Sequence, residues 1–188
     1  MACSRTIRTA SLIPVLVLLA CGSSEKTDGT PLPDGVAATA EQTKPLTAGA
    51  GAPEVTFQDI DGKPVAMKQL LSAGPVALIY YRGGWCPYCN AHLGELKTIE
   101  GTLENLGYQV IGVSPDRAAK LRESKEKIEP GFRLLSDSAM DGARAFGIAF
   151  RVDDSYNTKC RMFGLAIEDA SRKHPHLLPV PSVVLLAP

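Results

Sequence analysis

Cys86 and Cys89, two cysteines separated by two residues, are the side chains of this sequence best suited by type and spacing to chemistry. A thiol attacks peroxides and disulfides as the thiolate, and the positive end of a helix dipole favours that ionised form. If a helix begins at this pair, the first sulfur lies at its N-terminus and the second lies one turn further on, within disulfide distance. We therefore predict a redox-active pair in which Cys86 attacks the substrate and Cys89 resolves the product.

The residues on either side of the pair predict the strand and the helix that this arrangement needs. Residues 76–81 form a continuous apolar run, which indicates a buried strand leading towards Cys86. After Cys89, apolar side chains recur at intervals of three and four and predict an amphipathic helix; they are Leu93, Leu96, Ile99, Leu103 and Leu106. Cys86 is thus expected at the carboxyl end of a strand, where open α/β sheets place their active sites.

The rest of the sequence alternates between predicted strands and helices. Further strands are predicted at residues 54–59, 65–67, 108–113, 132–135 and 180–186, and further helices at 117–128, from Asp137 or Ser138 to about 147, and around 159–171. The order strand, helix, strand, helix, strand from residue 76 to residue 135 is typical of an α/β fold. Such a fold has a partly parallel central sheet with helices on both faces.

Other roles of the cysteines remain open at this level. A structural disulfide is possible in an oxidising compartment, although so short a loop restrains little chain entropy. A zinc site needs two further ligands, and the candidates Cys160, His174 and His176 lie in a stretch without clear elements. Cys160 is alternatively a distal resolving cysteine or a small buried side chain, and the histidines are alternatively part of a solvated loop. No metal or cofactor is predicted, and Gly83 and Gly84 are expected to let a substrate approach the pair closely.

The N-terminal part of the chain is predicted to direct export. Residues 1–20 combine arginines with a short apolar segment, as in signal peptides, and Leu18-Leu19-Ala20-Cys21-Gly22 resembles a bacterial lipobox. Cys21 is then the lipid attachment site, which predicts a lipid-anchored protein of the bacterial cell envelope; Gly22 favours the outer membrane, with the domain facing the periplasm. Residues 21–50 lack apolar periodicity and are predicted to be a flexible tether, so that the folded domain covers 51–188.

The charge balance argues against other classes of partner. Lysine plus arginine and aspartate plus glutamate both number 20, so no basic excess predicts nucleic-acid binding. The cysteine pair instead predicts a small oxidant or a protein disulfide as partner, and the lipid anchor predicts attachment to the membrane.

Several segments resemble the peroxiredoxin-like branch of the alkyl hydroperoxide reductase / thiol-specific antioxidant (AhpC/TSA) family, over about residues 50–188. They are Ala52-Pro53-x-Val55-x-Phe57, Asp61-Gly62-Lys63-Pro64-Val65, Gly74-Pro75-Val76, Tyr81-Arg82-Gly83-Gly84-Trp85-Cys86-Pro87-Tyr88-Cys89, Val113-Ser114-Pro115-Asp116 and Leu177-Leu178-Pro179-Val180-Pro181. The resemblance implies a thioredoxin-like fold, Cys86 as the peroxidatic thiol, Cys89 as its disulfide partner and a thioredoxin-type dithiol as reductant. The residues that it implies as support for the site are Arg82, Gly84, Trp85, Tyr88 and Pro181, the last as the cis-proline of the fold.

The sequence departs from this family pattern in three places. Typical members carry threonine or serine three residues before the attacking cysteine, where this chain has Gly83. They also carry an arginine beside the last buried strand, which stabilises the thiolate and the peroxide oxygens. This chain has Pro181 at that place, and Arg82 is the candidate to supply the positive charge instead. The chain ends seven residues after Pro181, without the last strand and helix that members normally have, which predicts an uncovered apolar face.

Three functions are compatible with these observations. The first is a peroxiredoxin-like antioxidant enzyme that reduces hydroperoxides, which the family resemblance favours. The second is an envelope thiol–disulfide reductase with the same cysteine pair, which Gly83 and Pro181 favour. The third is a non-catalytic lipoprotein whose disulfide is structural.

Overall fold

The computed structural model describes residues 31–165, 167 and 176–188. The strands in this part are β1 (Val36–Ala37), β2 (Thr56–Gln58), β3 (Pro64–Ala66), β4 (Val76–Tyr80), β5 (Gln109–Ser114), β6 (Arg133–Ser136), β7 (Ala149–Arg151), β8 (Leu177–Pro179) and β9 (Ser182–Leu186). The helices are α1 (Met67–Ser72), α2 (Pro87–Asn105), α3 (Ala118–Ile128), α4 (Asp141–Ala145) and α5 (Asp154–Met162), and a short 3₁₀ helix covers Ala40–Gln42.

The central sheet is mixed and has the strand order β3-β2-β6-β5-β4-β9. β4, β5 and β6 run parallel, whereas β2 is antiparallel to β6 and β9 is antiparallel to β4. The parallel part forms because α2 and α3 carry the chain back between successive strands, as neighbouring parallel strands require. The predicted α/β class with a partly parallel sheet is confirmed; β1, β7 and β8 form a second, smaller sheet.

β4 is buried along its whole length. Its side chains alternate between two apolar clusters, with Leu78 and Tyr80 in one and Ile79 in the other. α1 and α4 contribute Leu70 and Ala143 to the first cluster, and α2 and α3 contribute to the second. Burial on both faces explains why the sequence of β4 is continuously apolar rather than alternating.

Part of the predicted tether pairs with the folded domain. β1 adds in parallel to β7, and the backbone N–H groups of Lys44 and Leu46 donate to the carbonyls of Gly147 and Phe146, each at 3.1 Å. The structure therefore differs from the flexible tether predicted for residues 21–50. Backbone groups of any residue type can pair with a sheet edge, so the polar composition of this segment gave no sign of the pairing.

The other differences concern short elements. α5 begins earlier than the helix predicted around 159–171, because the Asp153 carboxylate accepts a hydrogen bond from the Tyr156 N–H at 2.6 Å and caps it. α1 begins at Met67, where a strand was expected. β7 and β8 have three residues each and are too short to show an alternating pattern. Residues 166 and 168–171 of the predicted helix lie outside the described residues.

β9 forms one edge of the central sheet and exposes apolar side chains. Val183 and Leu185 are 58% and 59% exposed, while Leu186 packs into the core.

Two buried carboxyl groups, Asp116 and Asp137, are expected to make the free energy of unfolding fall as the pH rises. Burial raises the pKa of each from 3.8 to about 6. Between these values the folded protein holds protons that the unfolded chain has released, so folding takes up protons and stability decreases with increasing pH. At about 1.4 kcal/mol per pKa unit, each group lowers the free energy of unfolding above pH 6 by roughly 3 kcal/mol at most.

The substitution Asp137→Asn tests this pH dependence. The predicted cap at Asp137 or Ser138 is wrong in position, because α4 begins at Asp141 with Met140 as its N-cap, but the Asp137 carboxylate accepts hydrogen bonds from the N–H groups of Gly142 at 3.0 Å and Ala143 at 2.7 Å in the first turn. Asparagine keeps an acceptor but carries no charge. Between about pH 4 and about pH 7 we expect the stability of the variant relative to the wild type to improve by about 2 kcal/mol, measured by urea unfolding. A relative stability that does not change with pH would contradict the raised pKa.

Candidate active site

The cysteine loop, residues 81–86, connects the carboxyl end of β4 to the start of α2. Cys86 is the N-cap of α2, and its sulfur accepts a hydrogen bond from the Cys89 N–H at 3.3 Å. Pro87 occupies the first helical position, where an N–H would have no helical partner. The structure thus places Cys86 between a buried strand and a helix N-terminus, as the sequence predicts.

The two sulfurs of the pair have different protonation preferences. The Cys89 thiol donates to the Cys86 sulfur at 2.8 Å, and both side chains are buried free cysteines. This hydrogen bond, together with the Cys89 N–H and the charge of Arg82, lowers the pKa of Cys86 to about 6 against the opposing effect of burial. Donation to Cys86 and burial raise the pKa of Cys89. At neutral pH the pair therefore holds one proton, on Cys89, and Cys86 is the thiolate.

Arg82 is oriented by Tyr156 on α5. Its Nη1 donates to the Tyr156 hydroxyl at 2.9 Å, and its Cζ lies 5.9 Å from the centroid of the tyrosine ring. These contacts hold the guanidinium whose positive charge favours the Cys86 thiolate. The sequence left the direction of Arg82 open and gave no sign of Tyr156, which is 74 residues away and belongs to no recognisable motif.

Gly84 is held from three sides. Its N–H donates to Asp116 Oδ2 at 2.6 Å, and its carbonyl accepts a hydrogen bond from Asn90 Nδ2 at 2.9 Å. On the third side a Cβ at this position would overlap the Ser124 hydroxyl on α3. Glycine is therefore required here by close packing, and Asp116, Asn90 and Ser124 are supporting residues that sequence reasoning did not identify.

Gly83 lies between Trp85 and Asp116. Its φ is +141°, a conformation that side chains rarely adopt, and a Cβ would lie 2.7 Å from Trp85 Cδ1 and 2.8 Å from Asp116 Oδ1. In the Cβ direction, the space that Gly83 and Gly84 leave is filled by neighbouring side chains, and whether a substrate approaches these glycines from another side stays a prediction. The same geometry excludes at position 83 the hydroxyl-bearing residue of the resembled family.

Trp85 and Tyr88, both expected to shape the site, have very different environments. Trp85 is half-buried and packs against the apolar cluster that contains both cysteines of the pair. Tyr88 is 87% exposed. Trp85 therefore forms part of the wall behind the pair, whereas Tyr88 presents its ring to solvent at the first turn of α2.

Pro181 immediately precedes β9, and the pairing of Tyr80 with Ser182 places it at the carboxyl end of β4. Among the described residues no peptide bond is cis, so the prediction that Pro181 is a cis-proline is wrong. The trans form is the default of an X-Pro bond, and the sequence around a proline does not by itself determine the isomer.

The remaining candidate ligands do not form a metal site within the described residues, where no group of three potential ligands occurs. Cys160 lies on α5 as a buried free thiol, in a cluster with Trp85 and Tyr156. It thus shares Trp85 as a neighbour with the cysteine pair. His176 lies with its Nδ1 3.6 Å from an Asp154 oxygen, and His174 lies outside the described residues.

A cavity of about 410 Å³ borders the cysteine loop on the side of α3. Its lining includes Gly84, Trp85, Asn90, Asp116, Lys120 and Lys127. Solvent can therefore approach the cysteine loop from this side. The N–H and the carbonyl of Gly84 are nevertheless already hydrogen-bonded, to Asp116 and Asn90.

Comparison with known proteins gives one family. Residues 48–185 match the model of the AhpC/TSA family. A putative peroxiredoxin bcp from Haemophilus influenzae is 35% identical over 105 residues, which cover 55% of this chain and 66% of that protein. A putative chloroplastic peroxiredoxin Q from Oryza sativa subsp. indica is 29% identical over 103 residues, which cover 55% of this chain and 47% of that protein. The matches thus span about half to two thirds of the length of these relatives.

Solved structures show the same fold. The crystal structure of peroxidoxin BcpB from Mycobacterium tuberculosis superposes with a TM-score of 0.55 at 22% identity, covering 73% of this chain and 76% of that one. A cysteine-to-serine mutant of peroxiredoxin 6 from Arenicola marina superposes with a TM-score of 0.59 at 17% identity, covering 76% of this chain and 60% of that one. At these identities the similarity establishes the thioredoxin-like fold expected from the sequence.

Proposed function

Because the chain belongs to the AhpC/TSA family, we propose that it is a thiol-dependent oxidoreductase that reduces hydroperoxides at Cys86. The observation that carries this proposal is the directed sulfur pair, in which the Cys89 thiol donates to the Cys86 sulfur at 2.8 Å. A thiolate that is stable near neutral pH is the form that attacks an O–O bond. Arg82, held by Tyr156, supplies a positive charge beside it.

In the first step the Cys86 thiolate attacks the terminal oxygen of the hydroperoxide. A sulfur–oxygen bond forms, the O–O bond breaks, and the electron pair leaves with the alkoxide, which takes a proton from solvent and departs as an alcohol. Cys86 is thereby oxidised to the sulfenic acid, and the hydroperoxide is reduced.

In the second step the Cys89 sulfur attacks the sulfur of the Cys86 sulfenic acid. The departing hydroxide takes the proton of Cys89 and leaves as water, so that a disulfide joins the pair. A dithiol of the thioredoxin type then reduces this disulfide in two exchange steps and is itself oxidised. The adjacent positions of the sulfurs allow the second step without unwinding of α2.

A second candidate function is thiol–disulfide exchange with protein substrates of the cell envelope. The observation that favours it is Gly83, whose backbone conformation and neighbours leave no place for a hydroxyl that would orient a peroxide. In this reaction the Cys86 thiolate attacks a substrate disulfide, and Cys89 then displaces the reduced substrate from the mixed disulfide.

Hydrogen peroxide oxidation of the reduced protein separates the two candidates. Trp85 is the single tryptophan of the chain and packs beside the pair, so its fluorescence reports the reaction in a stopped-flow instrument. Ionisation of a thiol with a pKa of about 6 by itself makes oxidation roughly tenfold faster than that of free cysteine at neutral pH, whichever candidate is correct. For a peroxidase we expect a rate well above this gain. Oxidation no faster than ionisation alone explains, combined with reduction of insulin disulfides, would instead establish the exchange reaction.

The proposed location is the bacterial cell envelope, with the domain in the periplasm and a lipid anchor at Cys21, preferably in the outer membrane. This location is supported by the resemblance of residues 18–22 to a lipobox. Cys21 itself lies outside the described residues. Among the helices that the structure describes, none is long and apolar enough to cross a membrane. Labelling with a radioactive fatty acid, lost in Cys21→Ser, tests the anchor.

A further inference from the structure

We propose that Asp116 is a positioning residue of the cysteine pair: by holding the Gly84 N–H it fixes the cysteine loop in the conformation that presents Cys86 at the start of α2. The inference deepens the proposed function and rests on it for its catalytic meaning. It is carried by the contacts of a buried carboxylate that the proposed reaction steps do not use.

Asp116 joins two parts of the chain that are distant in sequence. It follows β5 closely, and its side chain is almost completely buried, with 1% of the residue exposed. Oδ2 accepts a hydrogen bond from the Gly84 N–H at 2.6 Å, across 32 residues of sequence, and another from the Ser114 hydroxyl at 3.2 Å. A hydrogen bond to a charged acceptor is stronger than one between neutral groups, so this contact ties the loop firmly to the end of β5.

The second carboxylate oxygen also touches the loop. Asp116 Oδ1 has no hydrogen-bond partner among the residues that the structure describes, and it lies close to Gly83, where a Cβ would be 2.8 Å away. The carboxylate therefore contacts two successive residues of the loop, one through a hydrogen bond and one through packing. From Gly83 the chain needs only three more residues to reach Cys86, whose N–H donates to the Gly83 carbonyl at 3.1 Å.

The groups around Asp116 do not neutralise it. Lys120 favours its ionised form and Glu123 opposes it, but these two residues form an ion pair with each other at 2.8 Å on α3. On the side of β4 the Tyr81 hydroxyl is buried, and its pKa is raised by burial and by the charge of Asp116. Burying a charged carboxylate in such surroundings costs free energy. The hydrogen bond that it accepts from the Gly84 N–H offsets part of this desolvation cost.

Two physical effects of Asp116 on Cys86 have opposite signs. As a nearby negative charge it disfavours the thiolate, so its removal would lower the pKa of Cys86. As the anchor of the loop it keeps the Cys86 sulfur in its hydrogen bonds from the Cys89 thiol and N–H, so its removal would raise that pKa. Asp116 is not among the main causes of the Cys86 shift, which are the hydrogen bonds from the Cys89 thiol and N–H, the opposing effect of burial and the charge of Arg82. The positioning effect should therefore dominate.

The test is the rate of iodoacetamide alkylation of Cys86 in the reduced protein as a function of pH, with the modified peptide identified by mass spectrometry. We expect Asp116→Ala to raise the midpoint of this profile by about one pH unit, which slows alkylation about tenfold below the wild-type midpoint. Asp116→Asn keeps an acceptor for the Gly84 N–H and is expected to restore a profile within about threefold of the wild type. A midpoint that falls in Asp116→Ala, or an Asn variant as impaired as the Ala variant, would overturn the proposal.

Asp137→Asn is the matched control, because Asp137 is an equally buried carboxylate whose pKa burial also raises to about 6. Its carboxylate accepts hydrogen bonds from the N–H groups of Gly142 and Ala143 in the first turn of α4 and from the Tyr80 hydroxyl, and none of these three residues belongs to the cysteine loop. Its alkylation profile should match the wild type, and an equal shift in this control would attribute the Asp116 effect to general loss of packing. Alkylation needs neither peroxide nor reductant, so the result is readable whether or not the proposed peroxidase activity is found.

Discussion

Replacement of Cys86 by serine is expected to lower the rate of hydroperoxide reduction by at least about three orders of magnitude. The serine hydroxyl is not ionised near neutral pH, whereas the hydrogen bond from the Cys89 thiol brings the pKa of Cys86 to about 6. The measurement is peroxide consumption by the reduced variant, with a thioredoxin-type dithiol in excess. Consumption equal to that of the wild type would contradict the peroxidase role of Cys86. If the variant also kept the wild-type rate of insulin reduction and lost only thermal stability, the third hypothesis, a non-catalytic lipoprotein, would stand.

Cys89→Ser separates the two cysteines by their roles. In this variant Cys86 should still react once with peroxide, because its position at the start of α2 and the charge of Arg82 are unchanged. Turnover should stop at the sulfenic acid, which a dimedone-type reagent traps.

Cys160→Ser provides the matched control, since Cys160 is the third buried thiol among the described residues and also packs against Trp85. We expect turnover to persist in this variant. Turnover that survives in Cys89→Ser and is lost in Cys160→Ser would reassign the resolving role to Cys160.

Gly83→Thr introduces the residue type found in typical members of the family and is expected to damage the site rather than improve it. The φ of +141° is strained for any side chain, and the Cβ would collide with Trp85 and Asp116. Strain and overpacking together should cost roughly 2–5 kcal/mol of unfolding free energy. Because the loop must shift to accommodate the threonine, the oxidation of Cys86 by peroxide should become slower. Urea unfolding and stopped-flow oxidation measure the two effects separately.

Gly94→Ala is the control for this substitution, because Gly94 lies within α2 and a Cβ there meets nothing within 4 Å. Alanine is the better helix former, so this variant should gain about 0.5–1 kcal/mol and keep the wild-type rate of oxidation. If Gly83→Thr retained full stability and reacted faster with peroxide, the left-handed backbone conformation at position 83 would be wrong.

The reactive pair and the elements that hold it were predictable because their signals are local. The apolar run of β4, the Cys-x-x-Cys spacing, Pro87 at the first helical position and the periodicity at the start of α2 all lie within about thirty consecutive residues. Strand and helix formation respond to such nearby patterns, and the helix N-terminus then follows from their order. The family resemblance rests on the same segment.

The periodicity was a weaker guide to individual side chains. Leu93 and Leu96 are buried as predicted, but Ile99 and Leu106 of the same apolar series are exposed. An apolar residue on a helix face is buried only where another element covers it, and the sheet beneath α2 covers its first turns.

The surroundings that tune the pair were decided only by the tertiary structure. Tyr156 orients Arg82 across 74 residues, and Asp116 holds Gly84 across 32. Tyr156 belongs to no recognised motif, and the family-like segment that contains Asp116 does not show what its carboxylate contacts. Only the packing of α5 and the pairing of β4 with β5 bring these two side chains to the loop. For the same reason the sequence located Gly83 and Gly84 beside the reactive cysteine but did not show which side chains pack against them.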